Sequence, residues 1–121
     1  MSLEIEVKGT EELMRVLEGL PLKMREKVDA RLGEGAEIVA ERAREIVPVR
    51  TGYLRSTIMT ARRGSLQWRV LAYAFYAKFV EYGTSRMAAK PYLRPALILC
   101  RSMIVFLAKR GIAETVEERM K

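Results

Sequence analysis

The sequence predicts an α+β fold: a small, mostly antiparallel β-sheet, centred on one hairpin, packed against two long helices. Three observations point to it. Apolar residues recur every three or four positions from Met24 to Ile46 and again from Leu93 to Leu107, the period of a helix with one buried stripe. Between those stretches, two runs alternate in polarity on either side of Arg62-Arg63-Gly64-Ser65, as the arms of a hairpin do. A shorter alternation sets Leu3, Ile5 and Val7 against Glu4, Glu6 and Lys8 and predicts a half-buried strand. The 121 residues contain no internal repeat, low-complexity tract or long linker, so one domain spanning 1–121 is expected.

Each element has a local reason. Gly9 breaks the first strand, and Thr10 is a fair N-cap for a short helix carrying Leu13, Met14, Val16 and Leu17. Gly19-Leu20-Pro21 ends that helix, and Pro21 suits the first turn of the next. There Met24, Val28, Leu32, Ala36, Val39, Ala43 and Ile46 form the apolar stripe, with Lys23, Lys27, Glu34, Glu41 and Glu45 opposite. Gly33 and Gly35 each weaken this helix by about 1 kcal/mol relative to Ala, which fits either a close helix contact or a bend. Pro48 stops it. The segment from Val49 to Ser56 reads as a loop entering the first hairpin strand, where Leu54, Ser56, Ile58 and Thr60 alternate with Arg55, Thr57, Met59 and Ala61. Leu66, Trp68, Val70 and Ala72 mark one face of the second strand, and Gly64 is expected to supply a positive φ in the turn. Ala74 to Tyr82 predicts a short helix with Gly83 as its C-cap, followed by a loop over 84–91. The last helix begins near Tyr92 with Pro95 in its first turn and a stripe of Leu93, Leu97, Cys100, Ile104 and Leu107. Gly111 is a candidate break, after which Ile112, Val116 and Met120 continue the period.

Charge is divided along the chain. Residues 1–49 hold 8 basic and 11 acidic side chains, whereas residues 50–110 hold 12 basic and a single acidic one, Glu81. Eight of the nine aromatics fall between Tyr53 and Tyr92, inside that basic region. Three readings fit: a small sheet with an aromatic core and a solvated arginine face, a single-strand nucleic-acid binder, and a basic surface that meets the acidic first half of a second copy. Glu81, alone among so many cations, is expected to hold an arginine from the Arg50–Arg55 loop or from an adjacent copy.

Composition excludes most chemistry. Histidine is absent, which removes the commonest general base and the commonest transition-metal ligand. The lone Cys100 sits in an apolar helical run and reads as a small core residue; one cysteine makes neither an internal disulfide nor a multi-cysteine zinc site. Paired carboxylates of the glycosidase kind are missing from the motif-rich half, and neither Arg50-Thr51-Gly52 nor Gly83-Thr84 has the spacing of a phosphate loop. No enzyme activity, metal or cofactor is expected. No secretory signal and no bilayer-length apolar run is seen, so no membrane partner is expected and the chain is expected to be cytoplasmic or assembled in the cytoplasm.

Three ordered blocks carry a resemblance. Pro48-Val49-Arg50-Thr51-Gly52-Tyr53-Leu54-Arg55-Ser56-Thr57-Ile58 is followed by Tyr76-Ala77-Lys78-Phe79-Val80-Glu81-Tyr82-Gly83-Thr84 and then by Met87-Ala88-Ala89-Lys90-Pro91-Tyr92-Leu93-Arg94-Pro95-Ala96-Leu97. Together they resemble the small head–tail joining, or tail-completion, neck proteins of long-tailed, lambda-like bacteriophages and prophages. The likeness is close from about Ile38 to Leu97. One departure is Arg50, where the family often has an acidic residue before Thr-Gly. The resemblance implies a non-enzymatic virion protein that forms a ring, commonly a hexamer, between adaptor and tail tube, with genomic DNA passing nearby without specific binding. It implies that Thr51, Gly52, Leu54 and Arg55 form the loop entering the hairpin, and that Glu81, Gly83 and Thr84 terminate the short helix. Ser85, Arg86, Met87 and Lys90 would lie in a loop that orders on contact with a neighbour, and Pro91 and Pro95 would fix the entry to the last helix. Arg50 and these loop residues are thereby expected at an interface. The alternative reading is a basic nucleic-acid-binding module built on the aromatic, arginine-rich middle.

Overall fold

The computed structural model describes residues 3–7, 15–16, 18–49 and 52–119. Among them the chain runs β1 (Leu3–Val7), α1 (Leu22–Ile46), α2 (Tyr53–Ser56), β2 (Ile58–Gly64), β3 (Gln67–Ala72), α3 (Ala77–Tyr82) and α4 (Leu93–Arg119). The α+β expectation is borne out. The sheet has the order β1-β3-β2 and is antiparallel throughout, with Leu3 opposite Ala72 and Ala72 opposite Ile58. Those three residues, with Val70, point into one core shared with α1 and α4. The expected N-cap Thr10, the helix residues Leu13, Met14 and Leu17, and Met120 lie outside the described residues; Arg15, Val16 and Glu18 are helical.

The long helices form as their periodicity predicts. Val28, Leu32, Ala36, Val39 and Ala43 are buried along α1. Pro21 is its N-cap rather than a first-turn residue, and the Pro21 carbonyl accepts the Arg25 N–H at 2.9 Å. At the other end Val47 turns extended (ψ 136°), as the residue before a proline must. The two glycines of α1 mark close contacts and no break in the helix: a Cβ on Gly33 would lie 2.7 Å from the Trp68 ring. Gly111 does not break α4 either. It lets α4 approach α1 so closely that a Cβ there would fall 2.9 Å from Val28 Cα.

Two expectations about the hairpin are corrected. The strand expected from Leu54 begins only at Ile58, because Ser56 Oγ donates to Tyr53 O (2.6 Å) and Thr57 Oγ1 to Leu54 O (2.7 Å), winding 53–56 into one helical turn. Positive φ falls on Leu66 (62°), not on Gly64. Asp29 of α1 explains this. Its Oδ1 accepts both the Leu66 N–H and Trp68 Nε1–H at 3.0 Å, and its Oδ2 accepts Arg62 Nε–H at 2.7 Å. The Leu66 side chain is buried in the core. Tertiary contacts thus over-determine a backbone state that leucine by itself disfavours.

Candidate functional site

The short helix α3 and the turn after it are built around Glu81. The helix starts at Ala77, later than the expected Ala74, whose N–H is taken by Thr57 Oγ1 at 3.2 Å. Gly83 caps it as predicted, with φ 77° and its N–H on Phe79 O at 2.8 Å. A Cβ at Gly83 would lie 2.7 Å from the Ala89 nitrogen, so glycine is required both by φ and by space. Beyond it the chain folds back on itself. Thr84 and Met87 exchange backbone hydrogen bonds (2.8 and 3.3 Å), and the Lys90 N–H returns to Val80 O at 2.8 Å.

Glu81 is 2% exposed, and its partner is not the expected arginine. Oε1 accepts the N–H groups of Tyr92 (3.0 Å) and Leu93 (2.8 Å), and Oε2 accepts that of Arg94 (3.3 Å). These are donors at the start of α4 that no preceding turn can satisfy, so the carboxylate acts as a remote N-cap. Among the described residues no arginine is paired with it. The buried Tyr92 completes the clamp: its hydroxyl donates to Ala77 O at 3.2 Å, and burial, then the nearby Glu81 charge, push its phenol well above the usual range. Residues 83–91 are therefore held at both ends.

An open groove of about 860 Å³ lies against this clamp. Three segments line it: Pro48, Gly52 and Leu54; Phe75, Tyr76, Phe79 and Val80; and Thr84, Met87 and Lys90 of the loop. Phe75 is 73% exposed and stacks edge-on against Tyr76 at 5.1 Å, with Tyr53 6.5 Å from the same ring. Phe79 and Met87 are also exposed. Lys78 and Arg86, both exposed, adjoin the groove residues Phe79 and Met87 in sequence, and Lys90 supplies the one cation among the lining residues. Rings, a thioether and a lysine suit the burial of another apolar surface.

The structure brings together Gly52, Thr84, Met87 and Lys90 of the predicted interface residues. Arg55, Ser85, Arg86 and Pro91 are exposed nearby without lining the groove, and Glu81 and Gly83 hold it from beneath. Arg50 and Thr51 lie outside the described residues. Sequence reasoning missed Phe75 and Phe79 as surface groups, since aromatics at helical spacing read first as core. It also missed Asp29, whose three partners come from 33 to 39 residues away. The arginines that suggested nucleic acid are partly occupied: Arg62 pairs with Asp29 and Arg63 with Glu4.

Among the described residues no helix is long and apolar enough to cross a membrane, and no cluster of metal-ligating side chains occurs. Comparison with known proteins gives one family: the model HK97-gp10_like, described as "Bacteriophage HK97-gp10, putative tail-component", matches residues 11–83. The match ends at the Gly83 cap, so the Glu81 clamp ties the matched region to α4. No curated protein and no solved structure matches the chain.

Proposed function

Because this chain belongs to the HK97-gp10-like family of bacteriophage tail-component proteins, we propose that it is a non-enzymatic structural subunit of the head–tail neck. It completes the tail by assembling into a ring, a hexamer, that connects the tail tube to the adaptor. Assembly takes place in the cytoplasm of the bacterial host, and DNA passes the ring without specific binding. The observation that carries this reading is the groove. Three separate segments build it, the buried Glu81 clamp holds it, and it exposes Phe75, Phe79 and Met87 where a freely soluble monomer would have no use for them. The basic rim gives orientation and speeds encounter rather than reading bases.

Native mass spectrometry across concentration, with and without the tail-tube protein and with an oligonucleotide control, tests it. The expected result is concentration-dependent oligomers that the tube protein stabilises. Oligonucleotide binding should be weak, indifferent to sequence and lost steeply with salt. Tight, sequence-selective binding by a strict monomer would overturn the proposal in favour of the nucleic-acid module.

A further inference from the structure

The three-stranded sheet ends in two edges, β1 on one side and β2 on the other. Just before β2, the Tyr73 N–H donates to Thr57 O at 3.3 Å, and this pair sets which backbone groups face which way. Met59 and Ala61 turn their N–H and C=O groups to Leu71 and Arg69, and Ile58, Thr60 and Arg62 turn theirs away from β3. Arg44 Nη2 donates to Ile58 O at 2.8 Å from that outer side and closes one end of the edge. The same alternation commits Ala72, Val70 and Trp68 to Leu3, Ile5 and Val7 of β1, which leaves the backbone of Glu4 and Glu6 turned outward. Among the described residues no hydrogen bond takes up the outward backbone groups of Glu4, Glu6, Thr60 or Arg62. The side chains of Thr60 and Arg62 are drawn toward α1, onto Glu37 and Asp29. Such an edge is a template for another extended backbone.

We propose that β2 of one copy pairs with β1 of the next, so that the sheet continues from copy to copy. The inference rests on the ring reading and names its seam. Each edge offers two outward residues at i, i+2 spacing, Thr60 and Arg62 against Glu4 and Glu6. Both strands are antiparallel to β3, so they run the same way, and a rotation about an axis along the strands sets them side by side as parallel neighbours. The contact is heterologous and propagates until the rotation closes it. Only this pairing fills both edges of every copy. A two-fold β2–β2 contact, or a strand of another protein on β2, would leave β1 open. Backbone rather than charge holds the seam, because Arg62 and Arg63 are already paired with Asp29 and Glu4 of their own copy.

Proline tests the seam in the full chain, since it removes an outward N–H and sets its ring against an incoming strand. Thr60→Pro blocks the β2 edge and Glu4→Pro the β1 edge. Neither removes a hydrogen bond of the sheet itself, and circular dichroism checks that the fold survives. Sedimentation velocity should show each variant alone weakened in self-association by at least ~100-fold. An equimolar mixture should give a 1:1 heterodimer and nothing larger, because one intact β1 then meets one intact β2. Hydrogen exchange on the unaltered chain is a second measurement that needs no variant. The amides of Glu4, Glu6, Thr60 and Arg62 should slow by at least ~10-fold on assembly, while those of Met59 and Ala61 are protected at every concentration. A proline variant that assembles like the unaltered chain, a mixture that stays monomeric, or edge amides that exchange equally fast in the assembled state overturns the seam and leaves the ring standing. An unaltered chain that never self-associates, even with the tube protein, overturns both.

Discussion

Glu81 shows how far one side chain's role depends on what surrounds it. A carboxylate buried among backbone donors is stabilising only while all its bonds are made, because losing it strands three N–H groups at the start of α4. Glu81→Ala should therefore lower stability by about 3 kcal/mol, and Glu81→Gln, which keeps one acceptor oxygen but sets an NH2 donor against a backbone N–H, by about 1–2 kcal/mol. Urea denaturation of the two variants checks the order; equal losses would show that a neutral acceptor at this position contributes nothing without the charge. Tyr92 gives a pH signature. Its phenol is raised in the fold, so the native state keeps a proton that the unfolded chain releases near pH ~10. That contribution is intact below about pH 10 and declines as pH rises toward the higher folded value. Tyr92→Phe should flatten the alkaline decline while losing about 1 kcal/mol at neutral pH with the bond to Ala77 O. Unfolding measured from neutral to alkaline pH compares the two slopes.

At the scale of elements, the α1–α4 contact decides between two opposed effects at Gly111. Alanine there gains about 1 kcal/mol of helix propensity. Its Cβ, however, meets Val28 backbone atoms at 2.9 and 3.0 Å, and backbone cannot rotate aside. Overpacking of this kind costs about 1–3 kcal/mol, so Gly111→Ala should be destabilising by about 1 kcal/mol net. Gly35→Ala meets the buried side chain of Ile104 at 3.3 Å, a milder contact than backbone at 2.9 Å, and should cost less than Gly111→Ala. Thermal melts of both variants measure the difference. The hairpin teaches the same lesson. Its arms alternate as the sequence requires, yet Asp29 on α1 fixes the turn through the Leu66 N–H, and no local rule puts a leucine at positive φ.

For the whole molecule, the legible part was whatever repeats over a few residues. Helical and strand periods, the Gly83 cap, the stop before Pro48 and the buried stripe of Leu93, Cys100 and Ile104 all follow from neighbours along the chain. The three motif blocks carried the phage family as well, and the family match covers the first and all but Thr84 of the second. Part of the groove was legible: Gly52, Thr84, Met87 and Lys90 stood out as loop residues, while Phe75 and Phe79 read as ordinary aromatic spacing. What stayed hidden depends on sequence separation. Asp29 reaches across 37 residues to Leu66, and Glu81 across 11 to 13 to the start of α4. Sequence by itself determined the class of fold, the helical stripes and the lone acid in a basic region, because periodicity and charge are properties of neighbouring residues. Only the tertiary structure decided that this acid caps a helix instead of holding an arginine, and which aromatics remain outside, because burial and partner choice are settled by packing between distant segments.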